Sequence, residues 1–136
     1  AMGLCNLRHV DGEIEKRRTV VERYRQHLDG IEGLYLNCIQ GNVKSNYAYF
    51  PIVIDEKLYG ASRNEIWTAL DENGIGARKY FYPLTNTFEC FHGEFDVGLT
   101  PVALHISKRV LTLPLYADLE LNEVDRICGI ILSCKV

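Results

Sequence analysis

Cations and aromatics crowd together at Arg78-Lys79-Tyr80-Phe81-Tyr82-Pro83-Leu84, directly after the glycine-rich break Gly74-Ile75-Gly76. Arginine offers a planar fork to a phosphate or carboxylate, and tyrosine a flat face and a hydroxyl to a sugar or base. A plainer account of the same residues is a strand with alternating exposed and core aromatics that stops at a proline. Cys90-Phe91-His92 also places a thiol near an imidazole, although a nucleophile and its base normally meet across a fold rather than two residues apart. The four histidines, His9, His27, His92 and His105, have no second ligand at metal-binding spacing. Nucleophile-elbow, phosphate-loop and dinucleotide-binding signatures are missing, and Gly74-Ile75-Gly76 follows a helical pattern instead of a strand.

The remaining composition narrows the partners. The 136 residues are 47% hydrophobic and 24% charged, with a net charge of −3. That length supports one core, and the composition argues against wholesale disorder. No basic excess is available for a nucleic-acid backbone, and no apolar run is long enough to span a membrane. The N-terminal residues run into a charged amphipathic pattern without the apolar stretch of a leader. Five scattered cysteines with no C-x-x-C pair suggest reduced thiols, four of them among apolar neighbours and expected in the core of a cytoplasmic protein.

These residues need elements to hold them. Residues 1–28 repeat apolar side chains at helical spacing (Leu4, Leu7, Ile14, Val21, Tyr24, Leu28), with a Glu13–Arg17 pair on the wet face and Gly30 as the stop. One uninterrupted helix would be about 42 Å long, against a diameter of about 37 Å for a compact globule of this size. Such a helix suggests one cut out of something larger, or one that packs on a partner. Strands are expected over Leu34–Ile39 and Tyr47–Ile54, where Pro51 implies an edge strand or a bulge. Ser62-Arg63-Asn64-Glu65 is a capping box that opens a helix closed by Gly74. A short strand over Ile75–Tyr80 follows. Thr100-Pro101 then starts a helix ending near Arg109, Val110–Leu113 is extended, and Asn122 caps a final helix. The order implies an α+β (α/β layered) fold with a small sheet backed by helices.

Five stretches together resemble the DegT/DnrJ/EryC1/StrS family of sugar aminotransferases. Ala1-Met2-Gly3-Leu4-Cys5-Asn6-Leu7 is similar to its A-x-G-L-x-x-L helix, and Ile14 through Tyr24 to its I-x-x-R-R-x-x-x-x-x-Y continuation. Asn46-Tyr47-Ala48-Tyr49-Phe50-Pro51-Ile52 resembles the strand opening its small domain. The run from Ser62-Arg63 to Gly74-Ile75-Gly76-Ala77-Arg78 resembles the stretch before its substrate loop, and Ser107 to Leu115 its S-x-R-x-L-x-L-P segment.

The resemblance implies the C-terminal small domain of a fold-type-I pyridoxal-phosphate enzyme, with residues 1–30 as a connecting helix and 31–136 as the domain proper. It implies substrate contact by Arg78, Tyr80, Phe81 and Tyr82, and places Arg109 either at the substrate or bracing that loop. The full enzyme would bind a nucleotide-linked sugar and pyridoxal phosphate and act as a homo-oligomer, in the simplest case a dimer. None of the six lysines stands in the family's S-F-H-x-x-K context, so the resemblance implies that this chain carries no catalytic residue, binds no cofactor alone and is inactive alone. A competing expectation is a non-enzymatic module that dimerises through its long helix.

Overall fold

In a computed structural model, residues 2–91 and 93–136 are described. Ala1 and His92 lie outside that set, and with them the Cys90–His92 pairing. The elements in chain order are α1 (Met2–Leu7), α2 (Val10–Leu28), β1 (Leu34–Leu36), β2 (Phe50–Ile54), α3 (Glu56–Tyr59), α4 (Arg63–Glu72), α5 (Pro101–Ser107), β3 (Val110–Leu113) and α6 (Leu121–Ser133). Three single 3-10 turns, Thr85–Thr87, Glu89–Phe91 and Val97–Leu99, interrupt the stretch before α5. The architecture is α+β, a three-stranded antiparallel sheet of order β1-β2-β3 with helices packed on it.

The expected long helix is two helices. Arg8 and His9 turn the chain with hydrogen bonds from their amides to the Cys5 and Asn6 carbonyls, tighter than the helical i to i−4 pattern. Leu4 and Leu7 consequently stay exposed, while the buried stripe is Val20, Val21, Tyr24 and Leu28. The expected Glu13–Arg17 pair does not form. Glu13 takes Lys16 at 3.2 Å, and Arg17 donates to the Asn46 carbonyl at 3.1 Å.

Pro51 lies in the central strand, which corrects the edge expectation. Along β2 the amides alternate sides: Ile54 donates to Arg109 across the β3 ladder, and Asp55 donates to Gly33 on the β1 side. By that alternation the Pro51 nitrogen faces the β1 side, where the ladder has already ended at the Leu36–Ile52 pair. The missing N–H therefore costs no ladder bond. Gly33 is required at its turn. Its φ is +82°, and a Cβ there would sit 2.5 Å from the Tyr59 amide nitrogen.

Phe50, Ile52 and Ile54 point from β2 into the core with Leu111 and Leu113 of β3. Against them Tyr24 of α2 stacks on Phe50 at a centroid distance of 4.9 Å and donates its hydroxyl to the Pro114 carbonyl at 3.0 Å. Helix α6 adds Val124, Ile127, Cys128 and Ile131, and Tyr59 of α3 donates to the Ile131 carbonyl at 2.7 Å. Arg23 and His27 of α2 both grip Asp125 of α6, Arg23 through two bonds of 2.6 and 2.7 Å.

The capping box forms as expected: the Glu65 amide donates to the Ser62 hydroxyl, and the Ser62 amide donates to the Glu65 carboxylate at 2.7 Å. Two other caps do not. Thr100 points its hydroxyl at the Val97 carbonyl, and Asn122 lies inside α6, where its side chain accepts only from the Glu123 amide. Strand β1 is also half the expected length. The cysteines depart furthest from expectation: Cys128 is buried and Cys134 half-buried, but Cys5, Cys38 and Cys90 are exposed, because the segments that carry them pack against little of the core.

Candidate functional site

The Ile75–Tyr80 strand reduces to one residue pair. Arg78 and Thr112 exchange reciprocal backbone bonds of 2.9 and 2.8 Å at the free edge of β3. The ladder goes no further, because the next hydrogen-bonded partners along β3 are Pro114, which has no N–H, and Val110, whose carbonyl accepts from Arg63. The Ala77 carbonyl, turned away from β3, accepts the Trp67 indole N–H at 3.0 Å. A cation is thereby fixed by its backbone at the sheet edge, with the aromatic loop leaving directly after it.

Arg78 and Tyr80 help to line a cleft of about 390 Å³ with Ala48, Tyr49, Gly76 and the chain from Thr112 to Tyr116. The Arg78 guanidinium hydrogen-bonds the Tyr80 hydroxyl and lies over that ring, 5.5 Å from its centroid. Tyr49 meets Tyr80 edge to face at 5.8 Å, and Phe81 stacks on Tyr80 at 5.1 Å. Arginine is a cation at any working pH, and the hydrogen bond to Tyr80 raises the Arg78 pKa further above its ordinary value. Among the lining residues there is no carboxylate. One fixed guanidinium beside aromatic faces and no competing acid suits an anionic ligand that also presents a flat ring.

The expected contact residues are not all brought together. Arg78 and Tyr80 share the cleft, Phe81 forms its exposed lip, and Tyr82 turns to the Arg63 guanidinium, 5.0 Å from the ring centroid. Arg109 folds back on α5 and donates to the His105 carbonyl at 3.2 Å. Tyr49, Tyr116 and Arg63 were not singled out from the sequence. Tyr49 follows the β2 alternation backwards past the strand end, and Tyr116 lies just past the Leu113-Pro114-Leu115 exit from β3, so strand periodicity extended by a few residues would have found both.

A family model described as the DegT/DnrJ/EryC1/StrS aminotransferase family matches residues 1–132. The chain belongs to that family. Among the relatives of this chain, the dTDP-4-amino-4,6-dideoxy-D-glucose transaminase of Escherichia coli is 37% identical over 135 residues, covering 98% of this chain and 36% of the relative. A crystal structure of DesI in the presence of its TDP-sugar product superposes with a TM-score of 0.89 at 26% identity, covering 98% of this chain and 34% of that one. The sugar aminotransferase Spr1654 from Streptococcus pneumoniae, described as putative and in its PMP form, gives a TM-score of 0.84 at 25% identity, with 97% and 33% covered. The chain thus spans about a third of the length of the relatives it matches.

Pyridoxal phosphate does not fit the donors that line this cleft. Covalent capture needs a lysine and the pyridinium nitrogen an acid. The cleft lining contains neither, and the lysine nearest in sequence, Lys79, is committed to the Trp67 ring, with its amine 4.2 Å from the centroid. Burial, and after it the Arg63 charge, lower the Lys79 pKa.

Proposed function

We propose that this chain is the substrate-loop portion, the C-terminal small domain, of an aminotransferase that aminates a keto sugar carried on a nucleotide. Pyridoxal phosphate would be held by parts of the enzyme outside these residues, and the chain alone would be inactive. The observation that carries this reading is the pairing of a backbone-fixed Arg78 with the Tyr80 and Tyr49 rings in one acid-free cleft. A nucleotide-linked sugar presents the matching chemistry: phosphate for the guanidinium, and sugar or base faces for the rings. The names of the relatives, a dTDP-sugar transaminase and an enzyme studied with its TDP-sugar product, support the same substrate class.

In this reading Arg78 binds anionic oxygen, Tyr80 and Phe81 cover the sugar or base, and Tyr82 and Arg109 support the loop and its neighbouring turn. In the enzyme that contains this chain, Arg78→Leu should raise KM for the nucleotide sugar about tenfold to a hundredfold, the weight of a charge-assisted hydrogen bond. An unchanged KM would remove the cleft from the substrate path. With the chain alone, pyridoxal phosphate followed by borohydride should give no stoichiometric adduct at a single lysine. A single-site adduct with transaminase turnover would contradict the division of labour.

Self-association belongs to the same proposal and is supported by the apolar residues Met2, Leu4 and Leu7, which α1 leaves exposed. Sedimentation should show a dimer or larger, and a monomer at high concentration would contradict it. Five free thiols, three of them exposed, support a reducing, cytoplasmic compartment. Among the described residues, no helix is long and apolar enough to cross a membrane.

A further inference from the structure

Arg63 is a cation that the site above does not use. It opens α4 and is only 6% exposed, and no carboxylate pairs with it among the described residues. Its guanidinium donates to the Ser107 carbonyl at 3.1 Å, to the Val110 carbonyl at 3.4 Å and to the Asn64 side chain at 3.1 Å. Burying a charge without a counter-charge is unfavourable, and desolvation lowers the pKa of this group. The carbonyls offset part of that cost and fix the guanidinium to the turn between α5 and β3. Its face then meets the Tyr82 ring at 5.0 Å. Three residues earlier in the loop, the Lys79 amine lies over the Trp67 ring of the same helix. Two cation–aromatic contacts with α4 therefore bracket Tyr80, whose own ring faces the cleft with Arg78.

We infer that Arg63 is a positioning residue that seats the 78–82 loop by holding Tyr82, so that Arg78 and Tyr80 are presented to the cleft. Its consequence for substrate rests on the proposed function, but the seating of the loop does not. A purely structural role for Arg63, tying α4 to the α5–β3 turn, would need only the two carbonyl bonds and would be indifferent to Tyr82.

Tyr82→Leu separates the two roles, since it removes the ring and leaves every Arg63 hydrogen bond in place. Trypsin cuts after Arg78 and Lys79, so limited proteolysis of the 136-residue protein, mapped by mass spectrometry, reads release of the loop directly. Tyr82→Leu should speed cleavage at those two sites about three- to tenfold, the weight of one cation–aromatic contact on a local opening equilibrium. Cleavage elsewhere and the melting midpoint should hold at wild-type values. Wild-type cleavage at Arg78 and Lys79, or equal acceleration at every site, would overturn the inference.

In the complete enzyme, Arg63→Met and Tyr82→Leu should each raise KM for the nucleotide sugar about three- to tenfold, with a smaller change in kcat. The double variant should be no worse than the weaker-binding single variant, because both act through one contact. Additive losses would instead make Tyr82 an independent substrate contact and overturn the inference. If the complete enzyme aminates no nucleotide sugar, the functional reading fails, while the proteolysis comparison still decides the role of Arg63.

Discussion

Two stretches that both hold large apolar side chains are treated in opposite ways by this fold. From Val110 to Leu113 every side chain is buried, and the strand is covered by Phe50, Ile52 and the α2 and α6 stripes. Among the described residues from Lys79 to Ile106 none is buried, although that stretch holds Phe81, Phe88, Phe95, Leu99 and Val102. Its internal order comes from short turns, with Asp96 accepting from Gly98, Asn86 donating to Thr100 and Phe91 meeting Phe95 edge to face. The first region carries the stability of the domain. The second holds aromatic surface outside the core, beginning at the cleft, where a substrate loop or a partner surface would need it. The buried strand and the exposed aromatic stretch thus approach each other at the Arg78–Thr112 pair.

The contrast can be broken most easily by truncation. Leu111→Ala should cost about 2–5 kcal/mol, as expected for a fully buried leucine, while Leu99→Ser should stay within about 0.5 kcal/mol. Comparable losses in chemical denaturation would erase the distinction. Next in size, Tyr59→Phe should cost about 1 kcal/mol through the lost bond to Ile131.

Burial also pushes the Tyr59 phenol up to about 12 from 10.0 and the Cys128 thiol up to about 12 from 9.0. Both folded pKa values are raised, so this stability is complete below about pH 9 and is lost as pH climbs toward 12. Melting followed across that window should show the decline, and a flat profile would contradict the packing around both groups.

A smaller effect is expected on the acid side. Hydrogen bonds from Arg23, and then from His27, hold Asp125 down to about 2 from 3.8, against some desolvation. With a depressed folded pKa, its contribution is present above 3.8 and fades as pH falls toward 2. Asp125→Asn should flatten that part of the stability profile, as measured by thermal unfolding. The pair is partly exposed, so the change should also shrink in high salt.

Local chemistry was the legible part of this fold. Ser62 and Glu65 lie within one helical turn, so their reciprocal capping can be read from four residues. Val110–Leu113 is likewise apolar enough to be recognised from its own composition. The misread features depend on partners distant in sequence. Pro51 can occupy a central strand only because β1 stops at Leu36, a fact of length recorded fifteen residues earlier. The Ile75–Tyr80 strand stops at Arg78 because its next partners on β3 are Pro114, which has no N–H, and Val110, whose carbonyl accepts from the distant Arg63. Cys5, Cys38 and Cys90 lie near Leu4, Ile39 and Phe88, which are themselves exposed. In the cleft, Arg78 and Tyr80 could be named from composition, whereas Tyr49 and Tyr116 arrive from separate segments and become neighbours only after the sheet closes.

The most direct test of the division between core and loop is hydrogen exchange of the complete enzyme with and without a dTDP-linked sugar. The account predicts new protection across 76–82, with weaker gains at 48–50 and 112–116, while the amides of α2 and α6 keep their rates. Protection confined to other segments, with 76–82 unchanged by the sugar nucleotide, would contradict it.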